Sequence, residues 1–211
     1  MAMPYLTNYR TNHYNVTFFQ HTISTTVTNT PSSVDTWIAD TERIHHYHPL
    51  IVGLDVEWRP NQIPNVKNPV ATLQLCVERR CLIFQILHAP SIPQSLVNFL
   101  GNRSYTFTGV GIRSDVDKLR EDYNLVVLRT TDLRTLAADA FGVRELNNAG
   151  IKELTSRVLG VEMNKPMGIT MSRWDDQLLT QAQVHYACVD AFLSFEIGKI
   201  LISGNHNFWG F

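Results

Sequence analysis

Three things are scarce in this chain of 211 residues: cysteine, net charge and long apolar runs. The cysteines are three, Cys76, Cys81 and Cys188. So odd and sparse a set excludes a disulfide framework and fits a reducing compartment, with a cytoplasmic or nuclear location expected. Cys76 and Cys81 have no second Cys or His pair at zinc spacing, so buried free thiols are expected. The 18 Lys and Arg nearly balance the 19 Asp and Glu, leaving a formal net charge of -1. Proteins that coat long nucleic acid carry a basic face. Any contact with phosphates here is therefore local, a few groups at a cleft. No apolar stretch approaches the ~18 residues of a membrane span, so no membrane partner is expected. Residues 1–13 are polar, lack an apolar signal core and read as a loose arm. No repeat or low-complexity tract is present.

What the chain does have is a globular balance, 44% apolar and 18% charged, enough for one compact domain over 14–211. "YNVTFFQHTISTTVT" (14–28) is β-branched and aromatic and predicts a hairpin. Residues 31–46 carry Val34, Trp37, Ile38 and Ile44 at helical spacing, with Ser32 or Ser33 as the expected N-cap. "IVGLDVEW" (51–58) predicts a strand, and 71–78 with 81–87 a second hairpin. A short helix at 91–101, a strand at 105–112 and helices at 114–124, 148–160 and about 180–201 complete the series. Strands gather early, with helices between and after them. This pattern predicts an α/β fold, a mixed sheet covered by helices.

Charge is placed unevenly within that frame. In the strand "GLDVEW", Asp55 and Glu57 fall on one face because strand side chains alternate. Two adjacent carboxylates in an apolar strand repel each other unless a cation neutralises them. Hard oxygen ligands suit Mg²⁺ or Mn²⁺. The ordinary alternative is a strand whose polar face meets solvent. In "TFTGVGIRSDVDKL", Ser114 fits an N-cap with Asp117 three residues on. That leaves Asp115 in the first turn, where it either complements the helix dipole or reaches toward the strand acids. "LTQAQVHYACVDAF" opens with Thr180 and Gln183, a capping-box pair. The helix thus starts before His185. At ~100° per residue, Tyr186 lies about 40° from Asp190 around the axis, whereas His185 lies about 140° away. Tyr186 is therefore the expected partner of Asp190, and His185 a surface residue.

The ordered trio "DVEW", "GVGIRSD" and "YACVD" resembles the DnaQ-like 3′–5′ exonucleases of the DEDD group, in the subclass ending in Tyr-x-x-x-Asp. "TTDLRTLAADAF", "IKELTSRVLG" and "NKPMGITMSRWDDQLLTQAQVHYACVDAF" look like the Werner-type branch of that group. Among these, the short chain is most similar to the plant RISC-interacting clearing exoribonucleases. The resemblance implies a ribonuclease H-like mixed sheet in a single domain. It implies Asp55, Glu57, Asp115 and Asp190 as ligands of two Mg²⁺ or Mn²⁺, with Tyr186 aiding the attacking water. It further implies a single-stranded RNA 3′ end as substrate, a homohexamer, and Argonaute proteins as partners in RNA silencing. The chain departs from its relatives at Cys188-Val189, where Ala and Thr often precede the aspartate, which bears on helix packing and not on the ligands.

Such a site hydrolyses phosphodiesters with two cations about 4 Å apart, one activating water and one relieving charge on the leaving oxygen. Tyrosine ordinarily ionises near pH ~10 and is better suited to orienting water than to taking its proton. Lys165 and Arg173 flank the last helix and are the foremost candidates for phosphate contacts, with Arg79, Arg80 and Arg113 behind them. Trp58 is a candidate to stack a base. His45, His46 and His48 do not converge on one face and are assigned to a helix end. Asp175 and Asp176 are expected in an exposed loop. Two other readings keep most of these features: a Werner-type DNA exonuclease, and a catalytically silent binding or assembly module.

Overall fold

The computed structural model describes residues 9–61, 67–163 and 167–204. A hairpin of β1 (Thr11–Phe18) and β2 (His21–Thr28) leads into helix α1 (Pro31–Ile44). Strands β3 (Ile51–Glu57), β4 (Thr72–Val77) and β5 (Arg80–Phe84) follow as an antiparallel meander. Helix α2 (Gln94–Leu100), strand β6 (Thr106–Gly109), helix α3 (Ile112–Tyr123), strand β7 (Thr130–Asp132) and helix α4 (Leu133–Phe141) come next. The chain ends with α5 (Ile151–Leu154), α6 (Met167–Thr170) and the long α7 (Gln181–Ser203). The seven strands form one sheet in the order β1-β2-β5-β4-β3-β6-β7. β6 runs parallel to β3, β7 parallel to β6, and β2 parallel to β5, so the sheet is mixed as expected.

The sheet separates two cores. Val52, Leu54 and Val56 of β3 point to one face, where Trp37, Ile38, Phe99, Phe107 and Leu119 pack. The other face is covered by α7, whose Ala187, Val189, Ala191, Phe192 and Phe195 join Ile23, Val27 and Ile83. The alternation along β3 thus sends Gly53, Asp55 and Glu57 toward α7. At Gly53 the helix backbone lies directly on the strand: an added Cβ would stand 2.0 Å from the Ala191 carbonyl oxygen and 2.6 Å from the Phe195 nitrogen. Further along, Thr108 donates a 2.8 Å hydrogen bond to the Ser194 carbonyl, and Gly198 leaves room for that threonine.

Several boundaries differ from the sequence-based expectation. The hairpin starts at Thr11, so Thr11, Asn12 and His13 belong to the sheet and not to an arm. Helix α1 is capped at Thr30 with Pro31 in its first turn, where the missing N–H costs nothing. The Ser33 hydroxyl meets Thr11 Oγ1 at 2.7 Å instead of capping. Strand β6 ends at Gly109, and α3 begins at Ile112 behind Gly111, which sits at φ 67 as the cap. Ser114 is therefore inside the helix, and Asp117 faces Arg120 (3.3 Å) and Arg113 (3.8 Å) in place of a capping box. The helix expected over 148–160 is present as α5 running without a gap into a π turn at Thr155–Leu159, preceded by a short turn at Arg144–Asn148. The expected capping box of α7 is present: Gln183 N donates to Thr180 Oγ1 (3.2 Å) and Thr180 N to Gln183 Oε1 (2.9 Å). The three thiols are buried and free, with Cys76 and Cys81 paired across β4 and β5 and Cys188 3.1 Å from Thr25 Oγ1. Burial holds the Cys76 and Cys81 thiols above their ordinary pKa, and at Cys188 a hydrogen bond with Cys81 raises it first and burial second. Among the described residues, no helix is long and apolar enough to cross a membrane.

Candidate active site

Asp55 and Glu57 lie two residues apart on β3, and Asp190 comes from α7 opposite. Because Gly53 lets α7 rest on the strand, the three carboxylates converge: each offers an oxygen within 4.8 Å of the others. Glu57 is 9% and Asp190 7% exposed, so their charges are largely withdrawn from water. Burial and mutual repulsion both disfavour three ionised carboxylates at this spacing. A divalent cation reverses both effects, and an all-oxygen donor set suits a hard ion. The donor chemistry fits such an ion.

Asp115 is the acid that the structure keeps apart from this group. It lies in the first turn of α3, at the carboxyl end of the parallel pair β6–β3, and its neighbours are Asp132 and Arg134. Burial, then repulsion from Asp132, pushes its pKa up to about 7 against the pull of Arg134. Asp132 caps α4 through its bond from Arg134 N (3.0 Å), and it holds the Arg134 guanidinium by two contacts of 3.1 and 2.9 Å. Burial works to raise the Asp132 pKa, but the bonds from Arg134 and from Gly111 N keep it below the usual range. Neither Asp132 nor Arg134 was singled out from the sequence. The cap pattern Asp132-x-Arg134 at the start of "TTDLRTLAADAF" was the signal that could have found them.

Tyr186 is buried beside Asp190, as the helical spacing requires. Thr170 Oγ1 donates to its hydroxyl (3.1 Å), and the Trp174 ring packs on it at 6.0 Å. His185 is exposed, and its Nε2 lies 3.2 Å from the Thr17 carbonyl oxygen, tying α7 to β1.

The candidate substrate contacts fare unevenly. Trp58 is half-buried against the core, and the Lys118 ammonium lies 5.3 Å from its ring centroid. Trp58 and Lys118 line an open groove of about 320 Å³ with Asn61, Lys67 and Ser114. Arg173 is exposed but pairs with Asp176 (3.0 Å) and approaches Asp175 (3.9 Å). Lys165 lies outside the described residues. Arg113 and Arg79 are exposed, and Arg80 is half-buried 4.0 Å from Asp40. His45, His46 and His48 sit at and beyond the end of α1, as assigned. Asp175 is not an exposed loop residue: Arg59 holds it at 3.1 Å, and its carbonyl meets His88 Nε2 at 2.9 Å. Arg59, directly after Trp58, is thereby fixed to Asp175 and was not among the sequence candidates.

Comparison with known proteins agrees with this geometry. Residues 27–203 match the family model described as 3′-5′ exonuclease. A 3′-5′ exonuclease of Arabidopsis thaliana is 35% identical over 152 residues, 71% of this chain and 52% of that protein. The chain spans about half or less of the length of the curated relatives it matches. Escherichia coli RNase D shares the fold at TM-score 0.67 and 17% identity, over 82% of this chain and 44% of that one. The EXD2 exonuclease domain soaked in Mn aligns at TM-score 0.50 and 26% identity, over 85% of this chain and 89% of that one. The mixed sheet is thus of the ribonuclease H-like kind, and the acid cluster fits divalent-metal use. The chain belongs to the 3′-5′ exonuclease family of DEDD type.

Proposed function

We propose that this chain removes 5′-mononucleotides one at a time from the 3′ end of single-stranded RNA. The observation that carries the reading is the convergence of Asp55, Glu57 and Asp190 within 4.8 Å at the end of β3. Asp55, Glu57 and Asp190, with Asp115 as an outer acid, would hold two Mg²⁺ or Mn²⁺, which supply an acidified water and relief of negative charge on the phosphate. The preference for RNA is supported by the likeness of the ordered motifs to the plant exoribonucleases.

The chain's own side chains then have definite tasks. Asp55 and Glu57, on a strand buried on both faces, present fixed oxygens and need no rearrangement. Asp190 is locked to them by the helix-on-strand contact at Gly53. The Tyr186 hydroxyl, held by Thr170, donates to the attacking water and orients it toward phosphorus. Water adds to the phosphorus, the bond to the 3′-oxygen of the shortened strand breaks, and that oxygen takes up a proton. Trp58 offers a stacking face for the strand, its ring steadied by Lys118, whose ammonium is itself paired with Asp122 at 3.0 Å. The low net charge of the chain agrees with such local contacts. A homo-oligomeric ring, Argonaute partners and a cytoplasmic location belong to the same reading, and light scattering of the purified chain tests the first.

The experiment is digestion of 5′-labelled single-stranded RNA and DNA of one sequence with Mg²⁺, with Mn²⁺ and with a chelator. A one-nucleotide ladder on RNA that the chelator abolishes is expected. Equal or faster digestion of DNA would move the substrate to DNA, and no digestion of either would leave a binding module.

A further inference from the structure

The segment between α6 and α7 is a loop by its backbone and a core element by its burial. Trp174 lies in it, is 0% exposed and is among the largest fully buried side chains. Loops ordinarily run over the surface and move. This one is held from several sides instead. Gln183, in the first turn of α7, donates its Nε2 to Ser172 Oγ (3.0 Å) and to the Arg173 carbonyl (3.2 Å). Gln85, which follows β5, donates to the Asp176 and Gln177 carbonyls at 3.3 and 3.2 Å. His88 and Arg59 meet Asp175 at 2.9 and 3.1 Å. The same Gln183 side chain closes the capping box with Thr180, so the loop and the start of α7 share one anchor.

The anchored ring makes two contacts that lead to one phenol. The Trp174 indole packs on Tyr186 with 6.0 Å between ring centroids, and its Nε1 donates to the Thr170 carbonyl at 3.3 Å. Thr170 in turn donates from Oγ1 to the Tyr186 hydroxyl at 3.1 Å. Thr170 ends α6, a helix of four residues. A single turn cannot hold itself in water, so its place comes from tertiary contacts such as the indole bond. The Tyr186 hydroxyl stands at the far end of a rigid ring, so a small rotation about the first side-chain bond moves it a long way. Trp174 thus grips the phenol directly by its ring and, through Thr170, by its hydroxyl. We propose that Trp174, seated by Gln183, is a positioning residue that aims the Tyr186 hydroxyl at the attacking water. The proposal rests on the nuclease reading above. The ordinary alternative is a core residue that supports the folded state and nothing more, and the two predict different kinetics.

The test compares wild type, Trp174→Phe, Tyr186→Phe and the double variant in the full chain, with kcat and KM on single-stranded RNA expressed per folded molecule. Phenylalanine keeps an aromatic ring beside Tyr186 and loses the N–H that Thr170 accepts. Trp174→Phe is expected to lower kcat about fivefold, short of the ~10-fold loss from removing the hydroxyl outright, with KM within about twofold of wild type. In the Tyr186→Phe background the same change should alter kcat by less than about 1.5-fold, because no hydroxyl is left to misplace. If Trp174→Phe does not fold, Gln183→Glu carries the same pair of expectations: it keeps the acceptor for Thr180 and loses the donor to the Arg173 carbonyl. Equal losses in both backgrounds, as loosened packing would give, or an unchanged kcat in the single variant, overturn the proposal while leaving the nuclease reading in place. Wild type that releases no chelator-sensitive mononucleotide defeats both together.

Discussion

Two acidic places stand at the same end of the sheet and treat negative charge differently. At the α3–α4 corner, Asp132 is matched by the chain's own Arg134 through two side-chain contacts, and Asp115 beside them is pushed up to about 7. At the β3–α7 contact, three carboxylates are gathered against one another within 4.8 Å. The Asp132–Arg134 pair is self-sufficient, since its charge is neutralised from within and its capping role explains it, whereas Asp115 beside it has no such match. The second has the arrangement of a site awaiting a cation from outside. A cluster of acids becomes informative when packing forces the like charges together.

The most severe way to break the contrast is to remove one of the gathered acids. Asp55→Asn should cut nucleotide release by about a thousandfold or more, the scale of losing several kcal/mol of charge stabilisation. Stability should hold or rise, because one of three like charges is gone. Manganese should raise the melting temperature of wild type and not of the variant, since only a protein that binds the ion gains from it. A variant with near-wild-type turnover, or one still stabilised by manganese, would end the metal assignment.

Next in size is the packing that creates the cluster. Gly53→Ala places a Cβ 2.0 Å from the Ala191 carbonyl oxygen, which is backbone and cannot swing aside. Overpacking of this kind costs about 1–3 kcal/mol. Shifting Asp190 by about 1 Å should slow turnover about a hundredfold. Gly150→Ala is the control, with nothing within 4 Å and an ordinary φ of -89. If both variants behave alike, the strand–helix contact does not set the site. Smaller again is Tyr186→Phe, which keeps the ring against Trp174 and removes the hydroxyl that Thr170 holds. A loss of about tenfold in kcat is expected, less than the ~10²-fold or more of a group that transfers the proton, because the hydroxyl only orients the water. A heavier loss in His185→Ala would make the histidine the functional partner instead.

How far the site could be read in the sequence follows from the range of each force. Asp55 and Glu57 were legible because strand alternation is strictly local, and Tyr186 with Asp190 because helical spacing is too. The capping box at Thr180 fixed where that helix begins, and His185 lies exposed against the Thr17 carbonyl, as the helical spacing predicted. Ser114 misled because Gly111, free to take φ 67, starts α3 earlier than any hydroxyl cap would. The mixed sheet was foreseen, but the place of β7 beside β6 depends on contacts between elements and left no periodic trace. Arg59 was invisible for the same reason, since its partner Asp175 lies far along the chain. The hairpin over 14–28 was legible, but nothing local placed its turn at Phe19, which sits at φ 50.

The mildest test addresses the self-sufficient corner. Arg134→Met keeps the length of the side chain and removes its charge. The pair it breaks is only partly buried, with 33% and 23% of the side chains exposed, so solvent screening limits its worth to about 1 kcal/mol. Asp132 keeps its bonds from Arg134 N and Gly111 N, so the cap on α4 persists. The expected result is a small fall in melting temperature that shrinks further in high salt, as exposed pairs do. Salt should act the other way on the gathered acids of wild type, by screening their repulsion. Melts of wild type, Arg134→Met and Asp55→Asn at low and high salt therefore separate the two corners. If the Arg134→Met deficit grew with salt, the guanidinium would owe its effect to packing, and charge neutralisation would not be what distinguishes this corner from the site.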